Sequence, residues 1–159
     1  MRQQRAIAAV AAAVLLASAG GAFTIRQYRI APAVPMHMPA TPDSLQKENP
    51  YSAEKILEAR NHRPSDKETA KWAKAEADTS GFIKLDAAKK SPLLYTLSTR
   101  LRSDRYAKGT LKLTSTSRAA VKVNGVTQIT KATADSAAQS QEWKMDLLPA
   151  TSYDIIVDL

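Results

Sequence analysis

Four runs near the C-terminus decide the fold: Gly109-Thr-Leu-Lys-Leu-Thr-Ser115, Ala119-Ala-Val-Lys-Val-Asn-Gly125-Val-Thr-Gln-Ile-Thr130, Glu142-Trp-Lys-Met-Asp-Leu147 and Tyr153-Asp-Ile-Ile-Val-Asp-Leu159. Apolar side chains fall at every second position: Leu111 and Leu113; Val121 and Val123; Trp143, Met145 and Leu147; Tyr153, Ile155, Val157 and Leu159. A period of two turns one face of each strand into a core and the other into water. Asn124-Gly125 lies between two of the runs, and this pair accepts the positive φ angles of a type I′ hairpin turn. Short antiparallel strands at this spacing predict a mainly β protein, an antiparallel β-sandwich of jelly-roll type.

Upstream, Leu93, Tyr95, Leu97, Thr99 and Leu101 alternate in the same way and form a central-strand candidate. The segment before it supports two readings. Ser65-Asp-Lys-Glu68 fits a capping box that opens a helix running through Ala77. The same residues from Trp72 also read as strand, tight turn at Asp78–Gly81, and second strand to Leu85; tertiary pairing decides between the two. A further short helix is expected from the Ser52 cap to Arg60. Residues 20–50 read as a linker, because Pro32, Pro35, Pro39, Pro42 and Pro50 favour extended chain that cannot join a ladder. His37 between Met36 and Met38 is too sparse a donor set for a metal.

The N-terminus predicts export. Arg2 and Arg5 precede the uncharged run Ala6–Ala17, and Ala17-Ser18-Ala19 offers small residues for signal peptidase. Residues 1–19 are therefore expected to be a cleaved signal peptide. A longer uncharged run, through Ile25, keeps an uncleaved membrane anchor helix as the alternative, the only expected membrane contact. The expected address is the periplasm, cell envelope or extracellular space.

The 159 residues allow one domain plus extras, here residues 51–159, and 44% of them are hydrophobic. The absence of Cys excludes disulfides, thiolate nucleophiles and Cys-based zinc sites. With two His and five Gly, no nucleophile elbow, phosphate loop, dinucleotide fingerprint or His-based metal site can be assembled. No catalytic residue, cofactor or metal is expected. The net charge is +8, and cations cluster between residues 100 and 122: Arg100, Arg102, Arg105, Lys108, Lys112, Arg118 and Lys122. Such a patch could meet an acidic polysaccharide or a neighbouring protein. Nucleic acid does not suit an exported chain. The simpler expectation is an outward strand face whose cations pair with Asp135, Glu142, Asp146, Asp154 and Asp158. Trp72 is the candidate glycan platform, whereas Trp143 alternates with Met145 and Leu147 and is expected in the core.

Several stretches together resemble a known family. They are Trp72, Asp78-Thr-Ser-Gly81-Phe-Ile-Lys-Leu85, Asp104-Arg-Tyr-Ala-Lys-Gly-Thr-Leu-Lys-Leu-Thr-Ser115, Val121-Lys-Val-Asn-Gly125 and Leu148-Pro-Ala-Thr-Ser-Tyr-Asp-Ile-Ile-Val157. Residues 50–159 are similar to the N-terminal accessory domain of secreted bacterial prolyl-oligopeptidase-family serine peptidases. The resemblance implies a small β-sandwich that precedes a β-propeller and an α/β-hydrolase domain. No propeller or hydrolase segment occurs in these residues, so no catalytic triad is carried over. The last strand keeps its alternation to Leu159, which suggests a module of something longer. The expected role is domain packing or interaction with an envelope protein, with carbohydrate binding as the alternative.

Overall fold

The structure is a computed structural model that describes residues 10–18, 21–35, 62–85 and 93–159. The protein is mainly β, with antiparallel sheets. The strands are β1 (Val10–Ser18), β2 (Gly21–Thr24), β3 (Gln27–Ile30), β4 (Val34–Pro35), β5 (Ala73–Glu76), β6 (Ile83–Leu85), β7 (Leu93–Leu94), β8 (Thr96–Ser103), β9 (Ala107–Ser115), β10 (Ala119–Val123), β11 (Val126–Lys131), β12 (Gln139–Leu147) and β13 (Thr151–Asp158). A four-residue helix, α1 (Asp66–Thr69), precedes β5. Among the described residues, one sheet runs β12-β9-β1-β2, with β6 also beside β1, and a second runs β11-β10-β13-β8-β3-β5. A minor pair joins β4 to β7.

The alternation read from the sequence is the alternation of burial. Leu111 and Leu113 of β9, Val121 of β10, and Ile155 and Val157 of β13 are fully enclosed. Both large sheets supply one hydrophobic cluster, from Met145 and Leu147 on one to Tyr28, Leu97 and Tyr153 on the other. Burying a side chain of this size contributes about 1.5–3 kcal/mol, so this shared cluster is the main stabilising term. The Asn124-Gly125 turn is as expected: φ is 51° at Asn124 and 83° at Gly125, joining β10 to β11.

Two expectations need correction, and one open pair of readings is decided. Val10–Ser18, read within a signal or anchor helix, is a strand that pairs with β9 from Ala12↔Ser115 to Ser18↔Gly109. Its other edge meets β6 at Val10–Ala12 and β2 at Leu15–Ser18. An uncharged Ala-rich run lacks the polar alternation that separates a buried strand from a buried helix. Second, residues 27–35 are not plain linker. Gln27–Ile30 joins the second sheet between β5 and β8, and Pro35 closes a two-residue pair with Leu93, where a missing N–H costs little. Of the two readings left open after Ser65, the helical one stops at Thr69. Ser65 caps it, accepting from the Glu68 amide at 3.3 Å, and β5 then begins at Ala73. The strand–turn–strand reading holds from there, but the two strands lie in different sheets. The Asp78 carboxylate shapes the turn by accepting from the amides of Ser80 and Phe82, each at 2.9 Å. The helix expected over 52–60, His37 and the N-terminal arginines lie outside the described residues.

Candidate functional site

Strand alternation sends every second side chain of β8, β10 and β13 away from the core. On this outer face stand Arg100, Lys122, Asp154, Ile156 and Asp158. Their pairings follow from register, since Asp154 lies opposite Arg100 and Lys122 opposite Ile156. Arg100 donates from Nε to Asp154 and from Nη2 to Asp66, each at 2.6 Å. These bonds, Asp154 first, raise its already high pKa. Lys122 contacts Asp158 at 2.8 Å, and Asp158 also accepts from the Thr96 hydroxyl at 2.9 Å. That pair is largely screened from water, so removing one partner would strand a buried charge.

Residues 62–72 lie over this outer face as a strap. His62 contacts Glu68 at 2.8 Å, Asp66 reaches Arg100, and Arg29 of β3 donates to the carbonyl of Trp72 at 3.2 Å. Ile156 points away from the core yet is only 7% exposed. Between strap and sheet lies an open cleft of about 290 Å³, whose walls include Arg29, Arg63, Asp66, Arg100, Asp154 and Ile156. The side chain of Arg63 rests against Gly125, where a Cβ would come within 3.2 Å of Arg63 Cδ.

The seven sequence-flagged cations do not form one surface. Arg100, Arg102 and Lys122 belong to the second sheet, Lys108 and Lys112 to the first, and Arg105 and Arg118 to the loops flanking β9. Three of them pair with acids named from the sequence: Arg100 with Asp154, Lys122 with Asp158, and Lys112 with Glu142 at 3.5 Å. The cation most deeply committed is one that the charge count passed over. Lys131, 4% exposed, donates to the Asp135 carboxylate at 2.7 Å and to the carbonyls of Ser117 and Thr133. Its ammonium bond holds the Asp135 carboxyl below its ordinary pKa.

A second feature lies at one end of the sheets. The loop after β8 and the loop after β12 meet there, where the Ala150 amide donates to the Ser103 carbonyl at 2.8 Å. Tyr106 and Leu148, 52% and 51% exposed, sit in these loops, with Arg105 next to Tyr106 in the chain. Tyr106 donates to Asp146 at 3.1 Å, a bond that raises its own pKa. Trp72 is half-buried in the strap. Trp143 is half-buried as well, packed against the core from β12 rather than enclosed by it.

Of the four residues Arg29, Arg63, Asp66 and Asp154, only Asp154 was singled out from the sequence, among the acids expected to pair with the cations. They are scattered over 126 positions with no local motif, and only the register of β8 with β13 could have signalled the Arg100–Asp154 pair. Among the described residues no group of three or more His, Asp or Glu is placed to hold a metal, and no helix is long and apolar enough to cross a membrane. No family model, curated protein or solved structure matches the chain.

Proposed function

We propose that this chain is a non-catalytic β-sandwich module of jelly-roll type that works by packing against a neighbouring domain or envelope protein. One observation carries the reading: Tyr106 and Leu148, the residues just beyond the last ladder pair Ala107↔Leu147, are both exposed at one end of the sheets, with Arg102 and Arg105 in the segment that leads into Tyr106. An exposed aromatic–aliphatic pair with a cationic rim is the composition of a small docking patch. The charges of Arg100, Asp66 and Asp154 and of the Lys131–Asp135 pair are meanwhile committed to one another, which is the behaviour of groups that serve the fold. The partner that best suits the sequence resemblance is the propeller and hydrolase portion of a prolyl-oligopeptidase-like peptidase.

A photo-crosslinking residue at Leu148 tests the reading in cells. A discrete adduct there, absent when the same residue replaces solvent-exposed Lys144, supports docking at this end. Equal labelling at both positions, or proline-peptide or ester hydrolysis that survives stringent purification, overturns it.

Export is part of the proposal, supported by Arg2, Arg5, the uncharged run and Ala17-Ser18-Ala19. Export and β1 compete for the same residues. A chain cut after Ala19 loses the strand between β9 and the β2–β6 edge. Folding before export would therefore oppose cleavage. Sequencing the N-terminus of envelope-derived protein separates the outcomes: a start near Gly20 supports a cleaved signal, and an intact Met1 in the membrane supports an anchor. A soluble cytoplasmic protein rules out both.

A further inference from the structure

The cleft between the strap and the outer face carries an inference beyond packing. Three guanidinium groups, Arg29, Arg63 and Arg100, line it together with the carboxylates of Asp66 and Asp154, a net charge of +1. Arg100 is occupied by both acids. Arg29 is held by the neutral carbonyls of Ala70 and Trp72, which orient its fork without cancelling its charge. Arg63 has no ion pair among the described residues. Its side chain lies over Gly125, which has no Cβ to crowd its Cδ and guanidinium. An oriented cation and an unpaired one therefore share a cleft that the fold holds open.

We propose that this cleft binds the carboxylate of a uronic acid unit in an acidic polysaccharide, with Arg63 and Arg29 as its donors. A guanidinium fork matches a planar carboxylate, often through two parallel bonds. The remaining wall suits a sugar ring rather than a bare anion. The Ser98 hydroxyl has no partner among the described residues and offers a donor and an acceptor, while Pro64 and Ile156 give an apolar side for ring C–H groups. The volume of about 290 Å³ lies just below the range of small-ligand clefts, roughly 300–1,000 Å³, and fits a single ring better than a chain. This site is separate from the Tyr106–Leu148 patch, so either can fail without the other.

The test is a titration of the full chain with glucuronate, glucose and sulfate, followed by amide shifts and calorimetry. Glucuronate is expected to saturate at millimolar concentration and to shift the amides of Ser98 and Thr99, while glucose does not bind. Arg63→Ala, an exposed strap position, should weaken glucuronate by about tenfold or more, the loss of one charge-assisted bond pair. Arg118→Ala, which removes an exposed cation outside the cleft, should leave it unchanged. Absent saturation, equal weakening by both variants, or sulfate binding as tightly as glucuronate would each overturn the assignment.

Discussion

Tyr153 reaches back across the β12–β13 turn and donates its hydroxyl proton to the carbonyl of Asp146, 3.1 Å away. The same oxygen accepts from the Leu148 amide at 2.8 Å. One phenol thus satisfies two backbone groups of the turn whose third residue, Ala150, sits at φ 55°. The ring itself is in the core. Tyr153→Phe keeps that packing and leaves both backbone groups without their partner. We expect a loss of roughly 1–3 kcal/mol, read as a lower denaturant midpoint at unchanged slope. A change within about 0.5 kcal/mol would show that water replaces the phenol at no net cost.

Gly81 has φ 85°, and a Cβ built there would lie 2.2 Å from Thr24 Cγ2. Two separable penalties follow for Gly81→Ala: left-handed strain of about 1–2 kcal/mol, and a clash with β2. The single variant should lose more than about 2 kcal/mol. Adding Thr24→Ser removes the offending methyl and should recover the clash but not the strain. Full recovery in the double variant would mean that the backbone angle is not strained by a side chain.

The elements that the sequence made legible are those with a local signature. Leu111, Leu113, Ile155 and Val157 alternate with polar neighbours, and Asn124-Gly125 can make few other turns, so the C-terminal strands could be read directly. Gln27–Ile30 could not, because its place between β5 and β8 depends on partners about 45 and 70 positions away, beside a run of prolines. Val10–Ala17 is apolar throughout, so composition fits a membrane segment and a central strand equally well. For Trp72–Leu85 both readings contained part of the answer: the Ser65 cap forms, but pairing with β3 takes the chain from Ala73 onward. Cleft residues were legible least of all. Arg29, Arg63 and Asp66 acquire a common environment only through the strap, which no spacing rule describes.

Asp135 makes stability depend on pH. The Lys131 ammonium bond lowers its carboxyl pKa from the ordinary 3.8. A carboxyl whose folded pKa is depressed binds its proton more weakly folded than unfolded. Its contribution is therefore complete above the ordinary value and is lost as pH falls through the lowered one. Asp135→Asn should be less stable than the parent chain at neutral pH, and the gap should narrow as pH falls below about 4. Urea midpoints measured for both proteins from pH 6 down to pH 2 check this. A gap that stays constant over that range would show that the bond to Lys131 contributes shape, not charge.

Leu16 decides whether the N-terminal run works as a strand in the uncut chain. It stands opposite Leu111 of β9 on one side and Phe23 of β2 on the other. Whichever way its amide points, a ladder lies there to receive it. Proline at this position deletes that bond and is tolerated in sheets only at edges and bulges. Leu16→Pro in the refolded full-length chain should cost on the order of 3 kcal/mol, the scale of a proline misplaced in regular structure. Hydrogen exchange adds a directional readout. Amides of β9 bond alternately to β12 and to β1, so only the β1-facing set should lose protection below the global unfolding limit. A variant as stable as the parent, with unaltered β9 protection, would show that the second sheet and β9–β12 hold the fold by themselves. Residues 10–18 would then be free to serve as an export signal without cost to the folded module.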